Sequence, residues 1–197
     1  MQTMPERSKI AIVGAGLIGS GWALVFARAG YDVHVYDPSK DVRSKVLGWA
    51  SESLKELFEI GLIEDIKIVL ENITVVDSLK SALEGAVYVQ ESVFETVEAK
   101  TEVSLSIDAL IDDSTIVGSS SSGIPSSKFT AKCKNKEHFI VAHPVNPPHL
   151  IPVVELVPAP WTNKGVVNFV ADLMIKIGQK PVRLTREIDG FVMNRLQ

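Results

Sequence analysis

A glycine-rich segment near the N-terminus constrains this chain more than any other feature. The sequence GAGLIG (residues 14–19) follows an apolar run at residues 10–13 and opens an amphipathic pattern. In this context Gly14 permits a tight turn, Gly16 lets the backbone approach a pyrophosphate, and Gly19 lets the helix pack on the strand. The free amides and the dipole of the helix N-terminus attract the anion. The segment therefore predicts a dinucleotide-binding loop.

The next apolar run supplies the acid that such a site requires. The sequence VHVYD ends in Asp37, at the usual distance beyond the glycine loop. A carboxylate at this point accepts hydrogen bonds from the adenine-ribose hydroxyls. It would also repel a 2′-phosphate, so the pattern favours NAD over NADP as the cofactor.

Apolar runs and amphipathic stretches alternate along the chain, and this predicts the fold class. Several runs are apolar at consecutive positions, which is typical of strands covered on both faces. The pattern favours right-handed βαβ units in a Rossmann-like, doubly wound α/β domain, with a mostly parallel sheet and helices on both faces. The predicted strands are residues 10–13, 33–36, 73–76, 87–90, 115–117, 139–142, 153–157 and 182–184, and the predicted helical stripes are 18–29, 42–60, 103–111 and 166–177.

Two regions depart from this rhythm. Residues 39–72 are too many for one crossover helix and predict a pair of helices projecting from the sheet. Near the C-terminus, Asp189 and Gly190 precede FVMNRLQ, which begins an amphipathic pattern. We therefore expect an NAD-binding domain over residues 1–188 and the truncated start of a helical second domain over residues 189–197.

Composition narrows the classes of partner. The net charge of −4 argues against a nucleic-acid partner, and no apolar run approaches the roughly 18 residues of a membrane span. The single cysteine, Cys133, excludes an intrachain disulfide and a multi-cysteine metal site. With no signal-peptide pattern at the N-terminus, we expect a cytoplasmic protein that binds no metal.

A histidine and a glutamate form the candidate catalytic pair. His143 directly follows the predicted strand at residues 139–142, at the carboxyl end where ligands bind in open α/β sheets. Glu155 lies within the apolar run VVELV. A carboxylate buried there without a partner costs several kcal/mol, so we expect it to pair with His143. The pair could take a proton from a hydroxyl group as a hydride leaves. The alternative is an edge-strand glutamate that faces water.

A serine run follows the predicted strand at residues 115–117. The sequence GSSSS (residues 118–122) places its hydroxyls toward the same crevice, where one could bind a substrate oxygen. The alternative is a helix-capping cluster ahead of Pro125. The residues alone do not choose among the four serines.

These motifs together resemble one family. GAGLIG, the YD pair, the serine run, HPVNPPHLIPVVELVP and DGFVMNRL are similar in order and spacing to the 3-hydroxyacyl-CoA dehydrogenase family. The HPVNPP form is most similar to the lambda-crystallin and L-gulonate 3-dehydrogenase branch, with carnitine dehydrogenases nearby. The fatty-acid branch has two aromatics where this chain has Pro144 and Val145.

The resemblance implies roles for individual residues and an architecture. In the family the NAD-binding domain is followed by a helical domain that dimerises, so it implies a homodimer for the full-length protein and little activity for this part alone. The implied catalytic and substrate residues are His143 as base, Glu155 as its partner, and Ser122, Asn146 and Asn194 as substrate contacts. The implied NAD contacts, beyond the glycines, are Leu17 and Ile18 at the pyrophosphate, Asp37 at the ribose, and Glu95 and Lys100, which from the sequence alone would pass as solvated charges.

The function expected from these features is NAD-dependent oxidation of a 3-hydroxy group to a 3-oxo group. The substrate is open between a 3-hydroxyacyl-CoA, a free hydroxy acid such as L-gulonate, and carnitine. A different class is a crystallin-like protein that keeps the NAD fold without catalysis. A third, weaker alternative is a 2-hydroxy-acid dehydrogenase, but no arginine stands next to His143 to bind the carboxylate.

Overall fold

The computed structural model describes residues 7–195, which form one sheet with helices on both faces. The strands are β1 (Lys9–Val13), β2 (Asp32–Tyr36), β3 (Ile73–Val75), β4 (Tyr88–Glu91), β5 (Ile116–Ser119), β6 (Phe139–Pro144), β7 (Val153–Pro158) and β8 (Lys180–Arg183). The helices are α1 (Leu17–Arg28), α2 (Lys40–Glu59), α3 (Ile66–Glu71), α4 (Leu79–Leu83), α5 (Val97–Asp108) and α6 (Lys164–Lys176). The predicted fold class is confirmed.

The sheet order sets the place of the site. The strands run β3-β2-β1-β4-β5-β6-β7-β8, and the first six of these are parallel. β7 is antiparallel to β6, and β8 is parallel to β7. The strand order reverses between β1 and β4, and a crevice opens at such a point beyond the carboxyl ends of the strands.

Each face of the sheet buries its own apolar cluster. On one face, strand residues such as Ile12 and Leu156 pack with Trp22 and Phe26 of α1 and with residues of α2, α3 and α6. On the other face, Val13 and Val89 pack with residues of α4 and α5. Burial on both faces explains why the strand sequences are apolar at consecutive positions.

The segment between β2 and β3 holds the predicted pair of helices. Ser39 caps α2 by accepting a hydrogen bond from the amide of Val42, and Asp65 caps α3 in the same way. The two helices do not stand clear of the body, because one face of α2, including Val46 and Leu54, lies in the main core. The short helix α4 was not predicted, since its five residues are too few to show a helical period.

The predicted C-terminal helix has a different form in the described residues. Met193–Arg195 is one 3-10 turn, and residues 196–197 of the pattern lie outside the described part. Gly190 and Phe191 both have left-handed backbone angles, with φ of 71° and 50°. The turn starts from this bend, which an α-helix could not continue through.

None of the helices within residues 7–195 has the length and apolar character that crossing a bilayer requires.

Candidate active site

The glycine loop connects β1 to α1 at the point where the strand order reverses. Gly14 has φ of +94°, and a Cβ there would lie 2.6 Å from the carbonyl oxygen of Ser92. A Cβ on Gly19 would lie 1.8 Å from the carbonyl oxygen of Gly14. These two glycines are therefore required by the fold of the loop itself.

Gly16 differs from Gly14 and Gly19 because the space that a side chain would occupy is open. A Cβ on Gly16 would meet no atom within 4 Å, and its φ of −66° suits any residue. No side chain caps the start of α1, and its first turn carries no acidic residue. The open side and the uncapped amides of Leu17 and Ile18 fit the pyrophosphate of a dinucleotide. This observation shows that the residues present suit NAD.

Asp37 lies beside the same loop, directly after β2. Its Oδ2 accepts a hydrogen bond from the Ala15 amide at 2.9 Å, and its Oδ1 accepts one from the Ser39 amide at 2.9 Å. The carboxylate is thus held by the backbone at the edge of the glycine loop, in the position that the sequence predicts for the ribose contact.

His143 and Glu155 are direct cross-strand partners on β6 and β7. The His143 Nδ1 lies 2.8 Å from the Glu155 Oε2. Glu155 is fully buried, and His143 is 9% exposed. The structure thus brings together the pair expected from the sequence, and the alternative of a glutamate that faces water is wrong.

The second oxygen of Glu155 anchors the segment after β8. Its Oε1 accepts hydrogen bonds from the amides of Val192 at 2.8 Å and Met193 at 3.1 Å. Just before them, the fully buried ring of Phe191 packs on the His143 ring, with centroids 5.9 Å apart. A non-glycine residue with left-handed φ is strained by roughly 1 kcal/mol, and the contacts of Phe191 hold it there. These contacts were not foreseen from the sequence.

A cleft of about 350 Å³ opens over this pair. It joins the start of α1 to the end of β6, so the glycine loop and the candidate catalytic pair share one space. The predicted substrate residues all lie on its wall. The lining residues are Ile18, Ser120, Ser122, His143, Pro144, Val145, Asn146, Met193 and Asn194.

Ser122 and Asn194 are tied to each other across the cleft. The Asn194 Nδ2 donates to the main-chain carbonyl of Ser122. The Ser122 amide in turn donates to the Glu95 Oε1 at 2.8 Å. The segment that carries Ser122 and the turn at Met193–Arg195 are therefore joined by a hydrogen bond and form one continuous part of the cleft wall.

Glu95 is the anchor of the serine loop. Its Oε1 also accepts from the Ser121 hydroxyl at 2.7 Å and from the Gly123 amide at 3.1 Å. Burial alone would raise the pKa of Glu95, but the Lys100 ammonium together with these hydrogen bonds from Ser121, Gly123 and Ser122 holds that pKa below its ordinary value. The carboxylate is charged at neutral pH and fixes the loop that carries Ser122.

Lys100 is 1% exposed, which a solvated charge at a helix start would not be. Its ammonium lies 3.1 Å from the Glu91 Oε1 and 3.3 Å from the Glu95 Oε2. Glu91, at the end of β4, also accepts from the Val93 amide and the Ser119 hydroxyl. The sequence signal for this cluster is a glutamate at the end of the buried strand β4, where a carboxylate requires a partner.

The described residues place the predicted NAD contacts in two groups. Gly14, Gly16, Leu17, Ile18, Gly19 and Asp37 surround the glycine loop. Glu95 and Lys100 lie beyond β4, between the loop and the serine run, and Glu95 keeps 38% of its side chain exposed. The first group follows β1 and β2 and the second follows β4, so both lie beyond the carboxyl ends of neighbouring strands.

A family model described as "3-hydroxyacyl-CoA dehydrogenase, NAD binding domain" matches residues 9–188. The lambda-crystallin of Oryctolagus cuniculus is 40% identical over 98% of this chain and 61% of its own length. An L-carnitine dehydrogenase of Nocardiopsis dassonvillei is 34% identical over the whole chain and 59% of its own length. The chain thus spans about three fifths of the curated relatives it matches.

Among solved structures, a 3-hydroxybutyryl-CoA dehydrogenase from Escherichia coli superimposes with a TM-score of 0.91 and 25% identity, covering 98% of this chain and 41% of that one. The likeness therefore extends over almost the whole chain. The family model is described as an NAD-binding domain, and the open cradle at Gly16 suits that cofactor. The chain belongs to the 3-hydroxyacyl-CoA dehydrogenase family, as its NAD-binding domain.

Proposed function

We propose that this domain serves an NAD-dependent oxidation of a 3-hydroxy group to a 3-oxo group, with His143 as the general base. One observation carries the proposal: the buried contact of 2.8 Å between the His143 Nδ1 and the Glu155 Oε2, on the wall of a cleft that also reaches the glycine loop. A general base must lie within hydrogen-bond reach of the proton that it removes, and a substrate in this cleft would satisfy that.

Glu155 sets the tautomer of His143. Its carboxylate accepts the Nδ1 hydrogen, so the neutral ring carries its lone pair on Nε2. When Nε2 takes a proton, the imidazolium that forms stays hydrogen-bonded to a carboxylate. The two amides on the other oxygen keep the carboxylate fixed during this change.

The remaining wall residues orient the substrate. The Ser122 hydroxyl and the side-chain amides of Asn146 and Asn194 are polar groups on the cleft wall, and they would hold the oxygens beside the reacting carbon. Bound NAD supplies the acceptor for the hydride of that carbon. The hydroxyl proton goes to the Nε2 of His143 as the hydride leaves the carbon. The substrate hydroxyl group thereby becomes a carbonyl group.

Relatives with different substrates leave three candidates for the substrate class. One relative acts on L-carnitine and one solved structure is a 3-hydroxybutyryl-CoA dehydrogenase, by their names. By its resemblance to the lambda-crystallin and carnitine branches, the loop Pro144-Val145-Asn146 favours a free hydroxy acid such as L-gulonate, or carnitine. The lambda-crystallin relative keeps open a non-catalytic role, against which the fully buried charge of Glu155 argues.

The test is to follow NAD reduction by the full-length protein with 3-hydroxybutyryl-CoA, L-gulonate and L-carnitine in parallel. We expect turnover with one of the three and loss of turnover in His143→Gln. No NADH from any of them, in a protein that binds NAD, would overturn the catalytic proposal in favour of the crystallin-like one.

We also propose a division into an NAD-binding domain over residues 1–188 and the start of a helical domain over residues 189–197. The family resemblance further supports a homodimer and low activity for this part alone, and the composition supports a cytoplasmic location. Size-exclusion chromatography with light scattering on the full-length protein measures the oligomer directly, and a monomer would contradict the dimer.

A further inference from the structure

A cluster of polar side chains, in which Trp22 and Gln90 are buried and Ser92 and Ser120 half-buried, lies beside the cleft and centres on the Ser120 hydroxyl. The Trp22 Nε1 donates to the Ser120 Oγ at 3.2 Å, and the Gln90 Nε2 donates to it at 2.8 Å. The Ser92 Oγ also lies 2.8 Å from the Ser120 Oγ. Trp22 and Gln90 are fully buried, so water cannot replace these bonds.

The Gln90 amide has only one orientation that fits its neighbours. Its Nε2 lies 3.3 Å from the carbonyl oxygen of Ala142, which can only accept. Its Oε1 accepts from the Tyr88 hydroxyl at 2.6 Å. A flipped amide would place two oxygens against each other at Ala142. Both Nε2 hydrogens are therefore committed, one to Ala142 and one to Ser120.

Gly118 makes room for this arrangement. A Cβ on Gly118 would lie 2.0 Å from the Tyr88 hydroxyl and 3.0 Å from the Gln90 Oε1. Packing against Tyr88 and Gln90 therefore requires a glycine at position 118, and these are the two residues with which the chain of hydrogen bonds begins.

The direction of the last bond follows from counting lone pairs. A serine oxygen has two acceptor sites and one hydrogen. Trp22 and Gln90 fill both acceptor sites of Ser120, because an indole N–H and an amide N–H can only donate. The Ser120 hydrogen therefore goes to Ser92, and Ser92 must accept it.

The Ser92 hydroxyl keeps one hydrogen that it does not donate within the described residues. The position of Ser92 indicates which kind of group can accept it. Ser92 directly follows β4; its amide donates to the Val13 carbonyl at 2.7 Å, and its carbonyl lies against Gly14. Ser120 lines the cleft beside His143. Across residues 7–195, Ser120 is the sole hydrogen-bond partner of the Ser92 hydroxyl. Ser92 thus lies between the glycine loop and the cleft.

We propose that the Ser92 hydroxyl is a fixed hydrogen-bond donor to the nicotinamide-nucleoside half of NAD. The adenine half belongs to the Asp37 side of the loop, so the other half extends past β4, where Ser92 lies. An acceptor oxygen of that half, on the ribose or the carboxamide, receives the hydrogen. Because the Ser120 hydrogen already occupies one acceptor site of Ser92, the Ser92 hydrogen cannot point back to Ser120 and is available to an acceptor on the ligand. This inference rests on NAD binding at the glycine loop.

The experiment is isothermal titration calorimetry with two ligands, NAD and ADP, where ADP lacks the nicotinamide nucleoside. We expect Ser92→Ala to weaken NAD binding by about 3- to 10-fold, the usual effect of one neutral hydrogen bond, and to leave ADP binding unchanged. Ser92→Thr keeps the hydroxyl and should restore NAD affinity. Ser106→Ala on the exposed face of α5 is the matched control and should change neither ligand.

Each remaining outcome counts against a different statement. If the wild-type protein binds neither NAD nor ADP, the cofactor assignment in the proposed function fails. If it binds NAD and Ser92→Ala binds NAD equally well, or loses NAD and ADP to the same extent, the assignment of Ser92 as a donor to the nicotinamide half is wrong.

Discussion

The two ends of the crevice are built in different ways. At the glycine loop, the ligand cradle is main chain: two glycines required by local packing, one open glycine and the uncapped start of α1. At the other end, the site is side chain: His143 and Glu155 meet only because β6 and β7 pair in one register. The first end depends on neighbours in sequence. The second depends on contacts that the whole sheet must form.

This difference predicts that the two ends fail separately. The largest effect is expected at the candidate catalytic pair, His143 and Glu155. If the proposed function holds, His143→Gln and Glu155→Gln in the full-length protein should each lower kcat by about 10²–10⁴-fold, the usual contribution of general base catalysis, with little change in the Kd of NAD. The amide oxygen that Glu155→Gln introduces can still accept from Val192 and Met193, so the fold should survive.

The double variant sharpens the comparison. If the pair works as one unit, His143→Gln with Glu155→Gln should be little worse than the worse single variant. Stopped-flow and steady-state kinetics give kcat, and fluorescence titration gives the Kd of NAD. A parallel loss of NAD affinity would mean that the two ends are not independent.

The second effect tests the region between the ends. Lys100→Met leaves Glu91 buried without its cation, so the free energy of unfolding should fall by about 3–5 kcal/mol. Lys67→Met, in an exposed pair with Glu71, is the control and should change it little. Urea denaturation measures both. Unchanged stability with a weaker Kd for NAD would instead support Lys100 as a direct cofactor contact.

The third effect separates folding from binding within the glycine loop. Gly19→Ala forces a Cβ onto the Gly14 carbonyl and should cost about 1–3 kcal/mol of stability, or roughly 2–12 °C in Tm for a domain of this size. Gly16→Ala meets nothing in the protein, so its Tm should be unchanged while NAD binding weakens by about 10-fold or more. Differential scanning fluorimetry with and without NAD reads both. A lower Tm for unliganded Gly16→Ala would contradict the open cradle.

The fourth effect concerns the choice of cofactor. Asp37→Ala should weaken NAD by roughly 10-fold and bring the affinities for NAD and NADP closer, because the charge that repels a 2′-phosphate is gone. Calorimetry with both dinucleotides measures this. Equal affinities in the wild-type protein would remove the basis for the preference.

The smallest effect is a pH dependence of stability at His149, in the segment between β6 and β7. Burial and then the nearby Arg28 charge lower the pKa of His149 from its ordinary 6.5, while Glu56 acts in the opposite direction. The unfolded chain therefore binds the proton more readily, so stability should fall as pH drops from 6.5 toward the lowered pKa. His149→Phe keeps the ring against Trp49 and should flatten this part of the profile, which urea denaturation at a series of pH values measures.

The same difference explains how far the sequence could be interpreted. The glycine loop, Asp37 and the eight strands follow from residues close together in the chain, and the structure has all of them. The pairing of His143 with Glu155 was also predictable, because a charge in an apolar strand requires a partner. The anchoring of Glu155 by Val192 and Met193 was not, because it depends on a left-handed bend at Phe191 that no periodicity signals.

Lys100 shows the opposite limit. In the sequence it stands on a helix with charged neighbours, which is typical of a solvated face. Its burial depends on Glu91 at the end of β4, Glu95 before α5, and the serine loop all meeting at one point. Pairings of this kind are set by the assembled sheet, so local patterns carry only the hint that Glu91 is polar within a buried strand.

The two carboxylate oxygens of Glu155 contact different parts of the molecule. One is hydrogen-bonded to the His143 ring, and the other accepts from the Val192 and Met193 amides, where the chain leaves the sheet. Any motion that pulls Val192 and Met193 away leaves the carboxylate hydrogen-bonded to the imidazole alone. Thermodynamic linkage makes this coupling reciprocal: a change in the contact between Glu155 and His143 changes how firmly that segment is held. The Glu155 carboxylate therefore couples the orientation of the His143 imidazole to the place where the chain leaves the sheet.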